Sequence, residues 1–158
     1  MQRIPITLQV NGCRHALAAD SRHTLADVLR DRLDLTGLHL GCEQGVCGAC
    51  TVQMDGQPVV SCLVLAVEAQ EAEIRTVEGL ASDGNLCTLQ QAFLDHGAFQ
   101  CGYCTPGFLM VGQFLIEHGL AHDREVVREH LSGNVCRCTG YEPIIDAIVA
   151  AAAGGAER

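Results

Sequence analysis

Residues 41–50 read GCEQGVCGAC and carry three closely spaced cysteines, Cys42, Cys47 and Cys50, with a fourth at Cys62. A second group of four follows in the other half of the chain, at Cys101, Cys104, Cys136 and Cys138. Thiolates are strong metal ligands, and four cysteines at short, fixed spacing are typical of a metal centre. The eight cysteines therefore predict two metal centres, here called the first set (Cys42, Cys47, Cys50, Cys62) and the second set (Cys101, Cys104, Cys136, Cys138).

The first set has the C-x4-C-x2-C spacing, with a distant fourth cysteine, that is typical of plant-type 2Fe-2S ferredoxins. Gly41, Gly45 and Gly48 alternate with its cysteines. Glycine lets the backbone pass close to a cluster and point N–H groups at its sulfurs. Zinc is the alternative, because four thiolates also make a tetrahedral zinc site, but zinc usually takes two separated C-x2-C pairs. The spacing favours iron-sulfur.

The second set consists of a C-x2-C pair and a C-x-C pair, and for this spacing zinc is a stronger competitor. Each pair precedes a predicted helix, and a helix N-terminus offers free N–H groups and partial positive charge that stabilise a reduced cluster. A Rieske centre is disfavoured because neither set contains a C-x-H pair. Iron-sulfur is favoured here too, with zinc left open.

The N-terminal half has the pattern of a small sheet with one helix. Asn11-Gly12 and Asp55-Gly56 are two-residue hairpin turns between alternating apolar and polar runs. A helix is expected after Ser21 to Thr24, ahead of Gly37. In order, the prediction is a strand at 3–10, a strand at 13–18, the helix, the cysteine loop, a hairpin over 51–60 and a strand near 74–77. This is the order of a β-grasp ferredoxin.

The pattern changes in a linker that begins around Val77, and we place a domain boundary there, giving domains 1–77 and 78–158. Four helices are expected beyond it, opened by a Thr88…Gln91 capping box, by Thr105-Pro106, by Asp123 and by Pro143. The predicted fold class is α+β, with an N-terminal β-grasp 2Fe-2S ferredoxin domain followed by a C-terminal four-helix 2Fe-2S domain.

Composition limits the partners of the chain. The net charge is -9 and the pI about 5.1, which argues against a nucleic-acid or anionic-membrane surface and favours a protein partner. No apolar run reaches a membrane span, and the N-terminus lacks a signal-peptide pattern. We therefore expect a cytoplasmic protein, where thiols stay reduced. No P-loop, G-x-S-x-G or G-x-G-x-x-G motif occurs, so this chain alone is not expected to catalyse bond chemistry.

Three long stretches resemble a known family: LTGLHLGCEQGVCGACTVQMDGQPVVSCLVLA at 35–66, AFQCGYCTPGFLM at 98–110 and LSGNVCRCTGYEPIIDAI at 131–148. They are similar to the signatures of the small iron-sulfur subunit of the molybdenum hydroxylases, the xanthine oxidase family. The resemblance runs from the first hairpin to about Ala150.

The resemblance implies an electron relay from a molybdopterin centre in a large subunit, through two 2Fe-2S clusters, to FAD in a medium subunit, commonly in a dimer of heterotrimers. It places Cys101, Cys104, Cys136 and Cys138 on the cluster nearest molybdenum, and Cys42, Cys47, Cys50 and Cys62 on the cluster nearest the flavin. It also implies that Gln100 and Cys138 approach the pterin, in its cytosine dinucleotide form.

Two other functions fit the residues alone. A free-standing double-cluster ferredoxin would shuttle electrons between enzymes, although the segment AFQCGYCTPGF is unusually apolar for a freely soluble carrier. A zinc-stapled adaptor would bind partners without redox activity. Colour separates the last from the first two, because iron-sulfur proteins are red-brown and zinc proteins are colourless.

Overall fold

The computed structural model describes residues 3–155 and begins with a five-stranded mixed sheet. Its strands are β1 (Arg3–Val10), β2 (Cys13–Asp20), β3 (Thr51–Met54), β4 (Gln57–Val60) and β5 (Glu73–Arg75), in the spatial order β2-β1-β5-β3-β4. Only the β1–β5 pairing is parallel, and the other pairings are antiparallel. This is the β-grasp sheet that the sequence predicts.

Both hairpins turn at the dipeptides that the sequence marks. Asn11 and Gly12 have φ values of 50° and 78°, and Asp55 and Gly56 have φ values of 51° and 78°. Two successive residues with positive φ make a type I′ turn, whose twist matches that of the flanking strands. The turns therefore fix the strand register, with Val10 opposite Cys13 and Met54 opposite Gln57.

One short helix packs on this sheet. Helix α1 (Leu25–Asp27) continues as a π-helical turn over Val28–Arg32. Thr24 caps it: its hydroxyl accepts from the N–H of Asp27 at 3.1 Å, and its own N–H donates to the Asp27 carboxylate at 2.8 Å. Leu25 and the π-turn residues Val28 and Leu29 are buried in one core with the inward side chains of β1, which closes the β-grasp domain.

Four helices follow, as predicted: α2 (Thr88–Asp95), α3 (Thr105–Glu117), α4 (Arg124–His130) and α5 (Glu142–Gly155). They enclose a separate core that includes Phe93, Phe108, Met110, Leu115 and Ile148. The predicted Thr88…Gln91 capping box is wrong by one residue. The cap is Cys87, whose thiol accepts from the N–H of Gln90 at 3.5 Å while the Gln90 side chain accepts from the Cys87 N–H at 2.9 Å.

The connection between the two cores is short. After Arg75 a 3-10 turn runs over Val77–Leu80, and Leu80 is already part of the helical core. The boundary between residues 77 and 78 stays a prediction. The Arg75 guanidinium joins the two parts through an ion pair with Glu117 at 2.6 Å. Within residues 3–155, no helix combines the length and apolar character needed to cross a membrane.

Candidate iron-sulfur sites

The first set sits in the loop between α1 and β3, with Cys62 supplied by a 3-10 turn (Ser61–Leu63) after β4. The backbone N–H groups of Gln44, Val46 and Cys47 point at the sulfur of Cys42, at 3.4, 3.3 and 3.4 Å. These donors, led by Gln44, lower the pKa of Cys42 from 9.0 to about 6. The loop is therefore shaped to hold a thiolate, which is the form that binds iron.

Sulfurs of the first set lie in two pairs. The Cys42 thiol contacts that of Cys47, and the Cys62 thiol contacts that of Cys50. Burial, followed by the hydrogen bond with Cys50, raises the pKa of Cys62 to about 11. Near neutral pH such a thiol keeps its proton until a metal cation replaces it.

Glycine is required where the loop closes on these sulfurs. A Cβ on Gly41 would lie 3.0 Å from the Cys47 sulfur. Gly45 has a φ of +75°, and a Cβ there would lie 2.2 Å from the Leu63 side chain, next to Cys62. A side chain at Gly41 would thus crowd the Cys47 sulfur, and one at Gly45 would have to adopt a positive φ and displace Leu63.

The second set occupies the two connections that enter α3 and α5. Cys104 is the N-cap residue of α3, and Cys101 precedes it in the same loop; Cys136 and Cys138 lie between α4 and α5. The Cys101 and Cys138 sulfurs are 3.7 Å apart, and the Cys104 thiol contacts that of Cys136. The second set therefore also consists of two pairs.

Cys104 and Cys136 form the inner pair of the second set, which is partly buried and held by hydrogen bonds. Burial, followed by the hydrogen bond with Cys136, raises the pKa of Cys104 to about 12. Burial also raises the pKa of Cys136, but hydrogen bonds from Thr139 and the Cys138 N–H outweigh it and leave the value below its ordinary range. The Thr139 hydroxyl lies 3.1 Å and its N–H 3.4 Å from the Cys136 sulfur.

The pairing fits the chemistry of a 2Fe-2S cluster. Each iron of such a cluster takes two thiolates, and a tetrahedral ion with metal–sulfur bonds near 2.3 Å holds its two sulfurs about 3.8 Å apart. The Cys101–Cys138 separation of 3.7 Å matches that value. Among residues 3–155, no three His, Cys, Asp or Glu side chains gather as they do around a single ion.

Comparison with known proteins agrees with this geometry. Residues 19–87 match the family model of a 2Fe-2S iron-sulfur cluster binding domain, and residues 76–149 match that of a 2Fe-2S binding domain. The chain is 54% identical over 147 residues to the small subunit of nicotine 6-hydroxylase from Paenarthrobacter nicotinovorans, covering 93% of this chain and 88% of that one. It belongs to the family of small iron-sulfur subunits of the molybdenum hydroxylases.

Two further relatives support the assignment. The subunit is 56% identical over 147 residues to the gamma subunit of caffeine dehydrogenase from a Pseudomonas species, covering 90% and 87% of the two chains. Quinoline 2-oxidoreductase from Pseudomonas putida 86 contains a chain with a TM-score of 0.95 and 48% identity, covering 99% of this chain and 97% of that chain. The subunit is thus the iron-sulfur component of a multi-subunit molybdenum oxidoreductase, and the iron-sulfur reading of the cysteine spacing is favoured over zinc.

The structure also brings together the two residues that the family resemblance assigned to the pterin. The Gln100 side-chain amide donates to the carbonyl of Cys138 at 3.1 Å, and both residues are exposed. Cys101, the partner of Cys138, is exposed too. We call the exposed side formed by Gln100, Cys101 and Cys138 the outer edge of the second set.

Contacts that join the two sets were not predicted from the sequence. The Val135 N–H donates to the Cys47 carbonyl at 2.9 Å, and the Asn134 side chain donates to the Gly48 carbonyl at 3.0 Å. Tyr103 donates its hydroxyl to the Leu40 carbonyl at 2.6 Å. A cavity of about 260 Å³ lies at this junction and is lined by six of the eight cysteines: Cys42, Cys47, Cys101, Cys104, Cys136 and Cys138.

Proposed function

We propose that this subunit relays electrons from a molybdopterin centre in a large subunit, through two 2Fe-2S clusters, to FAD in a medium subunit. The observation that carries the proposal is that each cysteine set consists of two thiol pairs and that both sets open on one cavity. When bound, each cluster takes up and releases one electron at a time. Two such sites side by side suit the chain to electron transfer between partners.

The proposed ligands are all eight cysteines. Cys42, Cys47, Cys50 and Cys62 would hold the cluster on the flavin side, and Cys101, Cys104, Cys136 and Cys138 the cluster on the molybdenum side. Support comes from the backbone donors around Cys42 and from the contacts of Thr139 with Cys136, which place hydrogen bonds where a cluster needs them.

We assign the outer edge of the second set to the pterin. Gln100 already orients its amide through the Cys138 carbonyl, and its side chain is exposed beside Cys101 and Cys138. A polar side chain fixed next to a ligand at the surface is placed to accept or donate a hydrogen bond to a group on a docked partner. The cofactor there is proposed to be molybdopterin in its cytosine dinucleotide form.

Exposed apolar side chains beside each set support two partner interfaces. Val46 and Leu63, next to the first set, are 66% and 60% exposed, and Tyr103 and Val135, next to the second, are both 49% exposed. Large exposed apolar side chains beside proposed ligands suit contact with partner subunits. We propose a large and a medium subunit as the occupants, assembled as a dimer of heterotrimers in the cytoplasm.

Metal analysis tests the cofactor part of the proposal. The purified chain should contain about four irons and four acid-labile sulfides, as two 2Fe-2S clusters require, and little zinc. Partial reduction should give two distinguishable paramagnetic signals. Stoichiometric zinc without labile sulfide would falsify the cluster assignment.

Co-purification tests the assembly. The tagged subunit, expressed with its neighbouring genes, should bring down one larger and one intermediate chain together with molybdenum and FAD. The names of the three relatives above contain nicotine, caffeine and quinoline, all nitrogen heterocycles, so the complex should be assayed first on that class, with aldehydes for comparison. A monomeric red-brown protein that co-purifies with no partner would instead indicate a free-standing ferredoxin.

A further inference from the structure

One buried hydroxyl in the described part of the chain lacks a partner. Among the buried side-chain nitrogen and oxygen atoms of residues 3–155, only Thr105 Oγ1 makes no hydrogen bond. Other buried hydroxyls are paired: Thr51 donates to the Gly48 carbonyl and Ser61 to the Cys50 carbonyl, both at 2.7 Å. Native proteins rarely leave such a group unpaired, so an orphan of this kind points to an acceptor that the polypeptide does not supply.

The position of Thr105 indicates what that acceptor is. Thr105 is the first residue of α3 and directly follows Cys104, whose thiol contacts that of Cys136. Its backbone N–H is already used, donating to the Gly102 carbonyl at 3.1 Å. A helical threonine can donate its hydroxyl to the carbonyl four residues back, but Thr105 makes no such bond.

A second threonine shows that this site uses hydroxyl–sulfur contacts. Thr139 places its hydroxyl 3.1 Å from the Cys136 sulfur, the other member of the inner pair. A 2Fe-2S cluster would add two bridging sulfides beside this pair, and both sulfide and thiolate sulfurs accept hydrogen bonds. One threonine hydroxyl thus meets a sulfur of this pair, and the residue that follows Cys104 carries another hydroxyl, buried and without a partner among residues 3–155.

We infer that the Thr105 hydroxyl donates a hydrogen bond to a sulfur of the cluster held by the second set and thereby raises the reduction potential of that cluster. The inference rests on the proposed ligand set, because Cys104 must hold the cluster for Thr105 to reach it. A donor to sulfur stabilises the reduced state, which carries one more negative charge, over the oxidised state. Thr105 is in this sense a positioning and tuning residue and not a ligand.

Redox titration of the assembled complex, followed by electron paramagnetic resonance, tests this role. Thr105→Val keeps the shape of the side chain and removes the donor, whereas Thr105→Ser keeps the donor. At a fixed applied potential, the ratio of reduced to oxidised second cluster should fall about fivefold in the valine variant, which is about 41 mV for a one-electron couple at 59 mV per tenfold. The serine variant should restore most of the ratio, and the first cluster should serve as an unchanged internal reference.

Several outcomes decide the matter. A valine variant with four irons, four sulfides, an unshifted second cluster and raised thermal stability would show that the hydroxyl is simply unpaired, and the inference would be wrong. Absence of iron and sulfide from the unmodified chain would instead overturn the proposed function. If the valine variant loses its second cluster, Thr105→Ala is titrated in its place. A shifted potential in that variant supports the inference, and an unshifted one contradicts it.

Discussion

The backbone N–H of Val135 donates to the carbonyl of Cys47 at 2.9 Å, and Val135 immediately precedes Cys136. A residue of the first set is therefore connected to a residue of the second by covalent bonds and a single hydrogen bond. The contact joins residues that lie far apart in the sequence, and the neighbouring ligands Cys50 and Cys136 belong to different cores. If the cysteines hold clusters as proposed, this is a continuous bonded route between them.

Val135→Pro tests that route. Proline removes the N–H donor, and the preceding residue, Asn134, has φ -120° and ψ 129°, the extended conformation that a following proline favours. Both clusters should still assemble, because Val135 supplies no ligand, but electron exchange between them should slow several-fold. Rapid freeze-quench spectroscopy after substrate addition would show reduced second cluster accumulating ahead of the first. Val135→Ala keeps the N–H and is the control; equal rates in both variants would exclude the hydrogen bond from the route.

Cys47→Ser should remove the first cluster and leave the second in place. The two sets have separate cores, and the bond from Val135 uses the carbonyl of Cys47, which serine retains. Substrate should then still reduce molybdenum and the second cluster, while turnover with a flavin-linked acceptor collapses. Iron content and the two paramagnetic signals report the result.

Cys13→Ser, at an exposed cysteine outside both sets, should change neither signal. Loss of both signals in Cys47→Ser would mean that the two sites assemble only together.

Gly107→Ala should destabilise the junction between the two cores. A Cβ at Gly107 would lie 2.2 Å from the Gly48 carbonyl oxygen and 2.9 Å from the Asn134 amide nitrogen, so backbone would have to move. Overpacking of this kind typically costs about 1–3 kcal/mol. The expected result is a lower denaturation midpoint and weaker coupling between the two paramagnetic signals.

Gly154→Ala is the matched control for that substitution. It makes the same change in helix α5, where a Cβ meets nothing within 4 Å. Alanine should therefore raise stability slightly, by up to roughly 0.5–1 kcal/mol, because glycine is the poorer helix former. Opposite signs for the two variants identify the Gly48 contact as the cause, whereas stabilisation by both would show that the Gly48 contact costs nothing and that helix propensity dominates.

Local sequence rules anticipated most of the secondary structure. The Asn11-Gly12 and Asp55-Gly56 turns and the Asp123 cap depend on neighbouring residues, and the structure has all three. The α2 cap was misplaced because cysteine is not one of the usual capping residues, yet the Cys87 thiol fills that role.

The junction between the cysteine sets could not be predicted in the same way. The bond between Asn134 and Gly48 spans 86 residues and exists only because two separately built cores pack together. Nothing in the local sequence marks Val135 or Asn134 as different from other loop residues. The spacing of the cysteines in the sequence therefore identified each set, whereas the packing of the two cores determines how the sets contact each other.

Gln100→Ala should leave both clusters assembled and slow electron entry into the second one. Gln100 is not among the proposed ligands, but its amide donates to the Cys138 carbonyl at 3.1 Å on the exposed edge assigned to the pterin. Losing one neutral hydrogen bond typically costs about 1 kcal/mol, which is roughly a fivefold effect on a rate or an affinity. Stopped-flow reduction of the complex by substrate measures the rate of electron entry, and the molybdenum and iron content shows whether the cofactors are still bound. Gln113→Ala, which removes a half-buried glutamine bonded to Glu117 on α3, is the control and should match the unmodified complex. If Gln100→Ala also matches it in reduction rate and cofactor content, Gln100 has no role at the pterin and the large subunit must meet this edge through other groups.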